Sequence, residues 1–105
     1  MISQEPAVDD ELLAGQVARG IRRKEEHRAG FPDFMDLLVV CADSGLSMEA
    51  ALERVGRELG DSYPSLSTNI HMTNLETRAG RPLKNALERF ADRLALDEAH
   101  AFATL

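Results

Sequence analysis

At 105 residues, the chain is long enough for one modest hydrophobic core and too short for two. Apolar residues make up 44% and charged residues 29%, which excludes wholesale disorder, and the formal charge of −6 opposes a nucleic-acid partner. The single cysteine, Cys41, excludes an internal disulfide, and because the sequence has no long apolar run and no signal-peptide pattern, we expect a soluble chain.

The first thirty residues are predicted to form an amphipathic helix with acidic first turns. Its narrow apolar stripe comprises Leu12, Leu13, Val17 and Ile21, and the segment 29–32 (Ala-Gly-Phe-Pro) is expected to end it. A basic run lies in its second half and comprises Arg19, Arg22, Arg23 and Lys24. Because basic residues favour an anionic membrane surface, this run is a candidate membrane-surface segment; the alternative is a solvated helix face.

The next helix is predicted to begin at Pro32 and to lie at the centre of the fold. Its apolar residues exceed a single stripe; they are Phe34, Met35, Leu37, Leu38, Val39, Val40 and Cys41. Gly45 is expected to end this helix in the left-handed conformation. Ser47 is a suitable N-cap for a third helix, whose apolar face comprises Met48, Ala51, Leu52, Val55 and Leu59.

Further helices are predicted in the second half of the chain. The segment 65–79 is the weakest, since Leu66, Ile70, Met72 and Leu75 fall on no clean stripe. The helix that begins at Pro82 has a continuous apolar face, comprising Leu83, Ala86, Leu87, Phe90, Ala91 and Leu94. Asp97 is expected to cap a last segment. The sequence therefore predicts an all-α fold, an antiparallel bundle of about five to six helices.

One sequence block occurs twice, at an offset of 35 residues that aligns Gly45 with Gly80. The string Ala-Leu-Glu-Arg recurs intact in both copies, so that Leu52 aligns with Leu87. Each copy is typical of a helix, a glycine turn and an amphipathic helix. The repetition favours two similar helical hairpins, with Gly45, Gly80, Leu52 and Leu87 as structural residues. The alternative is chance similarity, since such strings are common in helical proteins.

An ordered series of segments resembles a known family. The segments are 31–38 (FPDFMDLL), 42–47 (ADSGLS), 51–52 (AL), 74–82 (NLETRAGRP) and 86–87 (AL), followed by Arg93. Together they resemble the cytoplasmic domain of type II secretion system F-type proteins, the inner-membrane platforms of type II secretion systems and type IV pili. The second half of the series is most similar to the TadC branch, which serves tight-adherence pili.

The resemblance, which covers residues 31–105, implies an all-helical bundle that lies beside a hexameric secretion ATPase and contacts other platform subunits in a homo- or hetero-oligomer. Such proteins carry transmembrane helices, so we expect the chain to be the cytoplasmic domain of a longer bacterial inner-membrane protein, attached through segments absent here. Residues 1–30 would then form a juxtamembrane helix, and residues 31–105 the platform domain.

The function predicted from these patterns is that of a non-enzymatic scaffold. Asp43 and Glu76 lie near the two glycine turns and, with Arg93, are the candidate partner-binding residues; the alternative is that the carboxylates are solvated or capping groups. Asp43 stands where the TadC branch often has Glu. No catalytic, cofactor or metal site is predicted, because the three histidines are scattered and Cys41 suits a core position.

Two other functions compete with this hypothesis. The first is a free-standing soluble helical adaptor or regulator, which the flanking coding sequence would distinguish by its lack of hydrophobic spans. The second is a helix-turn-helix nucleic-acid binder, which the negative charge and the acidic residues around Gly45 oppose.

Overall fold

The computed structural model describes residues 4–104, with side chains described from residue 12 onward. It contains five helices: α1 (Gln4–Asp43), α2 (Met48–Leu59), α3 (Pro64–Arg78), α4 (Leu83–Leu94) and α5 (Asp97–Ala103). Each helix packs against the next along the chain, and α1 also contacts α3. The prediction of an all-α fold is confirmed over this range. The acidic side chains expected in the first turns of α1 precede residue 12 and lie outside the described side chains.

The predicted break at residues 29–32 is wrong, because α1 is one helix of 40 residues that continues through Pro32. A proline inside a helix costs one backbone hydrogen bond and roughly 3 kcal/mol. Here Pro32 is exposed, whereas its neighbours Phe31 and Phe34 are 6% and 0% exposed. Burial of two such side chains stabilises the fold by about 1.5–3 kcal/mol each, which offsets the cost of the proline. The proposed domain boundary at residue 30 therefore falls inside a continuous helix.

Gly30 allows α1 to approach α3 closely. A Cβ atom at this position would lie 2.7 Å from Cδ2 of Leu66 and 2.8 Å from Cγ of Tyr63. Two polar contacts flank this approach: the Glu26 carboxylate accepts the Leu66 amide at 2.8 Å, and the Tyr63 hydroxyl donates to Asp33 at 2.8 Å. Together these contacts fix the beginning of α3 against the middle of α1.

Four phenylalanines form the centre of the core and join α1 to α4 and α5. The ring centroid of Phe34 lies 5.5 Å from that of Phe31, 5.4 Å from that of Phe90 and 5.7 Å from that of Phe102. Cys41 is buried in the same core, as predicted, and Phe90 is 1% exposed. The aromatic contacts add to the apolar burial and hold three helices in one arrangement.

The repeated block adopts the same local structure in both copies. Gly45 and Gly80 have φ angles of 85° and 102°, and the residue after each glycine donates its amide to a carbonyl five positions earlier. The buried faces also match at the 35-residue offset: Ala51, Leu52, Val55, Gly56 and Leu59 on α2, and Ala86, Leu87, Phe90, Ala91 and Leu94 on α4. The local pattern of turn and apolar face is thus confirmed, while the pairing of two equivalent hairpins stays a prediction.

Several side chains differ from their predicted environments. Val39 and Val40 are 54% and 60% exposed, so the C-terminal part of α1 buries one face and not the wider surface that was predicted. Met48 and Leu83, expected in the core, are 37% and 39% exposed. In α3 the buried residues do form a regular stripe, which comprises Leu66, Ile70, Thr73 and Asn74. The prediction missed it because two of its four members are polar.

The helix caps agree with the prediction at one helix and differ at another. Ser47 caps α2, since its hydroxyl oxygen accepts the Ala50 amide at 3.2 Å. Asp97, in contrast, is the first residue inside α5, and Leu96 occupies the N-cap position. An acidic residue in the first turn still interacts favourably with the helix dipole.

Candidate functional site

Glu76 and Arg93, two of the predicted partner-binding residues, form an ion pair with each other between α3 and α4. Nη1 of Arg93 donates to Oε1 of Glu76 at 2.8 Å. The other carboxylate oxygen, Oε2, accepts from Nε of Arg89 at 2.7 Å and lies 2.9 Å from Nε of Arg81. Three arginines therefore surround one carboxylate whose side chain is 18% exposed. We call these four residues the Glu76 cluster.

The remaining donors of Arg93 bind polar groups of α3. Nε donates to Oδ1 of Asn69 at 2.9 Å, and Nη2 donates to Oγ1 of Thr73 at 2.9 Å and to the Asn69 carbonyl at 3.3 Å. These bonds account for Asn69 and Thr73 on the face of α3 that contacts α4, whereas Oδ1 of the buried Asn74 has no hydrogen-bond partner among the described residues. Sequence reasoning missed Asn69 and Thr73. They lie two turns and one turn before Glu76, a spacing that places all three residues on the same face of a helix and could have indicated the site.

The electrostatics of the cluster favour an ionised Glu76. Burial acts to raise the pKa of the carboxyl, but the hydrogen bonds from Arg93 and Arg89, together with their charges, outweigh it and leave the pKa below its ordinary value of 4.5. The cluster thus holds one negative charge among three positive charges, an arrangement that joins α3 to α4 across the Gly80 turn.

Asp43, the third partner-binding candidate, does not belong to the Glu76 cluster. It is exposed at the end of α1, and among the described residues it forms no ion pair with Glu76 or Arg93. The structure therefore gives Glu76 and Arg93 partners within the chain and leaves Asp43 on the surface. A docking role for the three residues stays a prediction.

The basic run on α1 divides into two pairs of residues. All four side chains are exposed, but only Arg23 and Lys24 line a groove of about 690 Å³ between α1 and the α3–α4 pair, whereas Arg19 and Arg22 do not. We call this the basic groove. The remaining residues that line it are Gly20, His27, Ser65, Thr68, Asn69, Arg93, Leu94 and Ala95.

His27 closes the inner wall of the basic groove. It is 5% exposed, and its Nε2 lies 2.8 Å from the Ser65 hydroxyl. Burial lowers the pKa of His27 below 6.5; hydrogen bonding to the Leu94 backbone and the charge of Glu26 oppose this shift, and the charge of Arg23 adds to it. The imidazole is therefore predominantly neutral at pH 7 and acts as a polar link between α1 and α3.

A second, apolar groove of about 530 Å³ adjoins residues 35–42, near the C-terminal end of α1. It is lined by residues of α1, α2, α4 and α5: Met35, Leu38, Val39, Ala42, Met48, Leu83, Lys84, Leu87, Phe102, Ala103 and Thr104. Lys84 is the one charged side chain among these residues. Leu87, predicted as a structural residue of the repeated block, forms part of its floor and is 9% exposed.

Two further properties concern the described residues alone. Between residues 12 and 104, no group of three or more His, Cys, Asp or Glu side chains is placed to hold a metal ion. None of the five helices has the length and apolar character that crossing a membrane requires.

Comparisons of the chain with protein-family models, with curated proteins and with solved structures found no match.

Proposed function

We propose that this chain is the non-enzymatic cytoplasmic domain of an assembly platform for a pilus or secretion machine in a bacterial inner membrane. In this role it docks the secretion ATPase and neighbouring platform subunits in a homo- or hetero-oligomer. The proposal rests on the resemblance of residues 31–105 to F-type platform proteins of the TadC branch. The all-helical fold and the two glycine turns of similar geometry support it.

The observation that carries a docking function is the apolar groove. Val39, Met48 and Leu83 line it and are 54%, 37% and 39% exposed, although each is an apolar residue that folding would ordinarily bury. Contiguous exposed apolar surface of this kind marks contacts with other proteins. A helix from the ATPase or from a second platform subunit would bury it, with Lys84 at the edge to pair with an acidic side chain.

The position of the groove also suggests how docking acts on the rest of the domain. Phe102 lines the groove and at the same time contacts Phe31 and Phe34 in the core, at centroid distances of 6.3 and 5.7 Å. A partner seated in the groove therefore presses on the aromatic cluster that joins α1, α4 and α5. Because packed cores deform little, the domain would move as a rigid unit and transmit ATPase movements to pilin addition.

Val39→Asp, compared with Val40→Asp, tests the docking function. The two valines are adjacent and similarly exposed, but only Val39 lines the groove. Binding of the purified domain to the secretion ATPase encoded with it is measured by calorimetry. We expect Val39→Asp to weaken binding by at least about tenfold, since a buried carboxylate is strongly unfavourable, and Val40→Asp to leave it unchanged. No binding by the unmodified domain, or equal losses in both variants, would contradict the proposal.

The exposed apolar residues near the start of α1 favour one second candidate, a free-standing helical adaptor or regulator. Leu12, Leu13, Val17 and Ile21 are all between 54% and 60% exposed, so a partner helix could pack along them. The coding sequence on either side of the chain separates the two candidates. Hydrophobic spans there would support the platform, and their absence would support the adaptor.

A further inference from the structure

We infer that the basic groove is a binding site for a phosphate group, supplied either by a small phosphorylated molecule or by a lipid headgroup. This site is independent of the platform assignment, because the basic groove adjoins residues 20–27 of α1 whereas the apolar groove adjoins residues 35–42. Two residues of the basic run, Arg23 and Lys24, line the groove, whereas Arg19 and Arg22 do not.

The charges around the groove are unbalanced. Arg23 and Lys24 line one wall, and neither forms an ion pair with any residue between 12 and 104. None of the described residues that line the groove is acidic. The nearest acidic groups lie outside the groove: Glu26 accepts the Leu66 amide, and Asp97 and Glu98 line an adjacent groove that also contacts Lys24. A phosphate in the groove would therefore meet two cations that lack a counter-ion within the described chain.

The opposite wall supplies neutral hydrogen-bonding groups. Nδ2 of Asn69 donates to the Ser65 carbonyl at 3.0 Å, which leaves the second hydrogen of the amide free for a ligand. The Thr68 hydroxyl, also exposed, bonds to the Pro64 carbonyl and can rotate toward an anion. Arg93 forms the floor, where its bonds to Asn69, Thr73 and Glu76 hold it in place and fix the Asn69 side chain.

Size and chemistry together select the ligand class. A volume of about 690 Å³ accommodates a small molecule or a headgroup. The groove is lined by a guanidinium, an ammonium and an amide N–H, all of which can donate to phosphate oxygens, and charge-assisted bonds to phosphate are among the stronger hydrogen bonds in proteins. A phosphate suits two cations better than a carboxylate does, because it has more acceptor oxygens and carries up to two negative charges.

Two double variants test the inference, because they remove equal charge from the same helix. Arg23→Gln with Lys24→Gln removes the groove pair, and Arg19→Gln with Arg22→Gln removes the pair outside the groove. Pyrophosphate is titrated into each protein at constant ionic strength, and amide chemical shifts of Ser65, Thr68 and Asn69 are followed by NMR. We expect these amides to shift in the unmodified protein, the groove variant to bind at least about tenfold more weakly, and the control variant to bind as before.

Sedimentation with phosphatidylcholine vesicles, with and without phosphatidylglycerol, distinguishes the two sources of phosphate. Vesicle binding that needs both phosphatidylglycerol and the Arg23–Lys24 pair supports a headgroup in the groove, whereas pyrophosphate binding without vesicle binding supports a soluble ligand. Absence of any amide shift with pyrophosphate would overturn the inference. Equal weakening in both double variants would also overturn it, because it would show general attraction to a basic helix. Melting curves of both variants check that all proteins compared are folded.

Discussion

Glu76 pairs with three cations at once, since its carboxylate lies within 2.9 Å of Arg81, Arg89 and Arg93. The three arginines come from the turn and from α4, while Glu76 belongs to α3. Removal of the carboxylate would leave Arg93 partly buried, with bonds to neutral groups alone. Loss of one member of such a partly buried network is more costly than loss of a pair on the surface.

The lowered pKa of Glu76 predicts a stability that decreases in acid. Because the pKa in the folded state is below the ordinary value of 4.5, the unfolded state binds the proton more readily, so the contribution is complete above pH 4.5 and is lost as the pH falls through the folded-state pKa. We expect Glu76→Gln to lower the melting temperature at pH 7 and to reduce its further decrease below pH 4.5. Thermal unfolding between pH 7 and pH 2 measures both effects.

Glu58→Gln is the matched control for this prediction, since Glu58 pairs with Arg54 on the exposed surface of a single helix. It should change the melting temperature little at any pH. If both variants followed the unmodified protein below pH 4.5, the role assigned to the Glu76 cluster would be wrong.

Gly30 is a second residue whose effect is specific to its position. A Cβ here would lie within 3.0 Å of Leu66 and Tyr63, whereas a Cβ at Gly15 would have no neighbour within 4 Å. Both glycines are inside α1. We expect Gly30→Ala to destabilise the protein by about 1–3 kcal/mol through overpacking, and Gly15→Ala to stabilise it by up to about 1 kcal/mol through its higher helix propensity. Urea unfolding gives both values, and the same sign for both variants would contradict the close packing of α1 on α3.

The helices differ in how far local sequence determines them. In α2 and α4, the apolar face and the preceding glycine turn both indicate the helix that is observed, and the two helices have the same buried positions at the 35-residue offset. In α1, local signals conflict with the outcome, since Ala29 to Pro32 should end a helix and does not. The conflict is resolved by residues far along the chain, which cover Gly30, Phe31 and Phe34.

Pro32→Ala tests the continuity of α1. In a continuous helix, alanine restores an amide that can donate to the Arg28 carbonyl and removes the steric cost of the ring, so we expect a gain of up to about 3 kcal/mol in the free energy of unfolding. Pro64 is the control, since it is the first residue of α3, where proline is favourable. Pro64→Ala should therefore be neutral or slightly destabilising. A loss of stability in Pro32→Ala would indicate that a new helix begins there.

The whole molecule consists of a helical core and a long helix that extends beyond it. The described structure measures 64 Å in its longest dimension, which compares with roughly 60 Å for a straight helix of 40 residues. Contacts between α1 and α3 are made by Glu26, His27, Gly30 and Asp33. From residue 12 to residue 19, every residue other than Gly15 is exposed.

Removal of residues 1–18 is therefore expected to change the melting temperature by no more than about 4 °C, because the described side chains of this segment, from residue 12 onward, are exposed. Removal of residues 1–28 should lower it much further, since Glu26 and His27 are lost together with their bonds to Leu66 and Ser65. Calorimetry of the two shortened chains measures the difference. A large decrease for the shorter deletion would show that the first part of α1 packs on the core.

Much of the fold and part of the site could be predicted from local sequence. The glycine turns, the Ser47 cap and the buried faces of α2 and α4 follow from residues within two helical turns of each other. Glu76 and Arg93 were singled out, but their pairing was not, because they lie 17 positions apart on different helices. Hydrophobic periodicity does not predict the buried stripe of α3, because two of its members, Thr73 and Asn74, are polar. Thr73 is buried where its hydroxyl accepts from Arg93 of α4.

The helical character of this protein, its glycine turns and the apolar faces of two helices can be predicted from the sequence alone, because each depends on short-range conformational preferences. The tertiary structure is needed to show that α1 continues through Pro32, that Val39 and Val40 are exposed, and that Arg23 and Lys24 line a groove. These outcomes depend on free energies of contact between segments 30 or more residues apart, such as Gly30 with Tyr63 and His27 with Ser65, and such contacts exist only after the chain has folded.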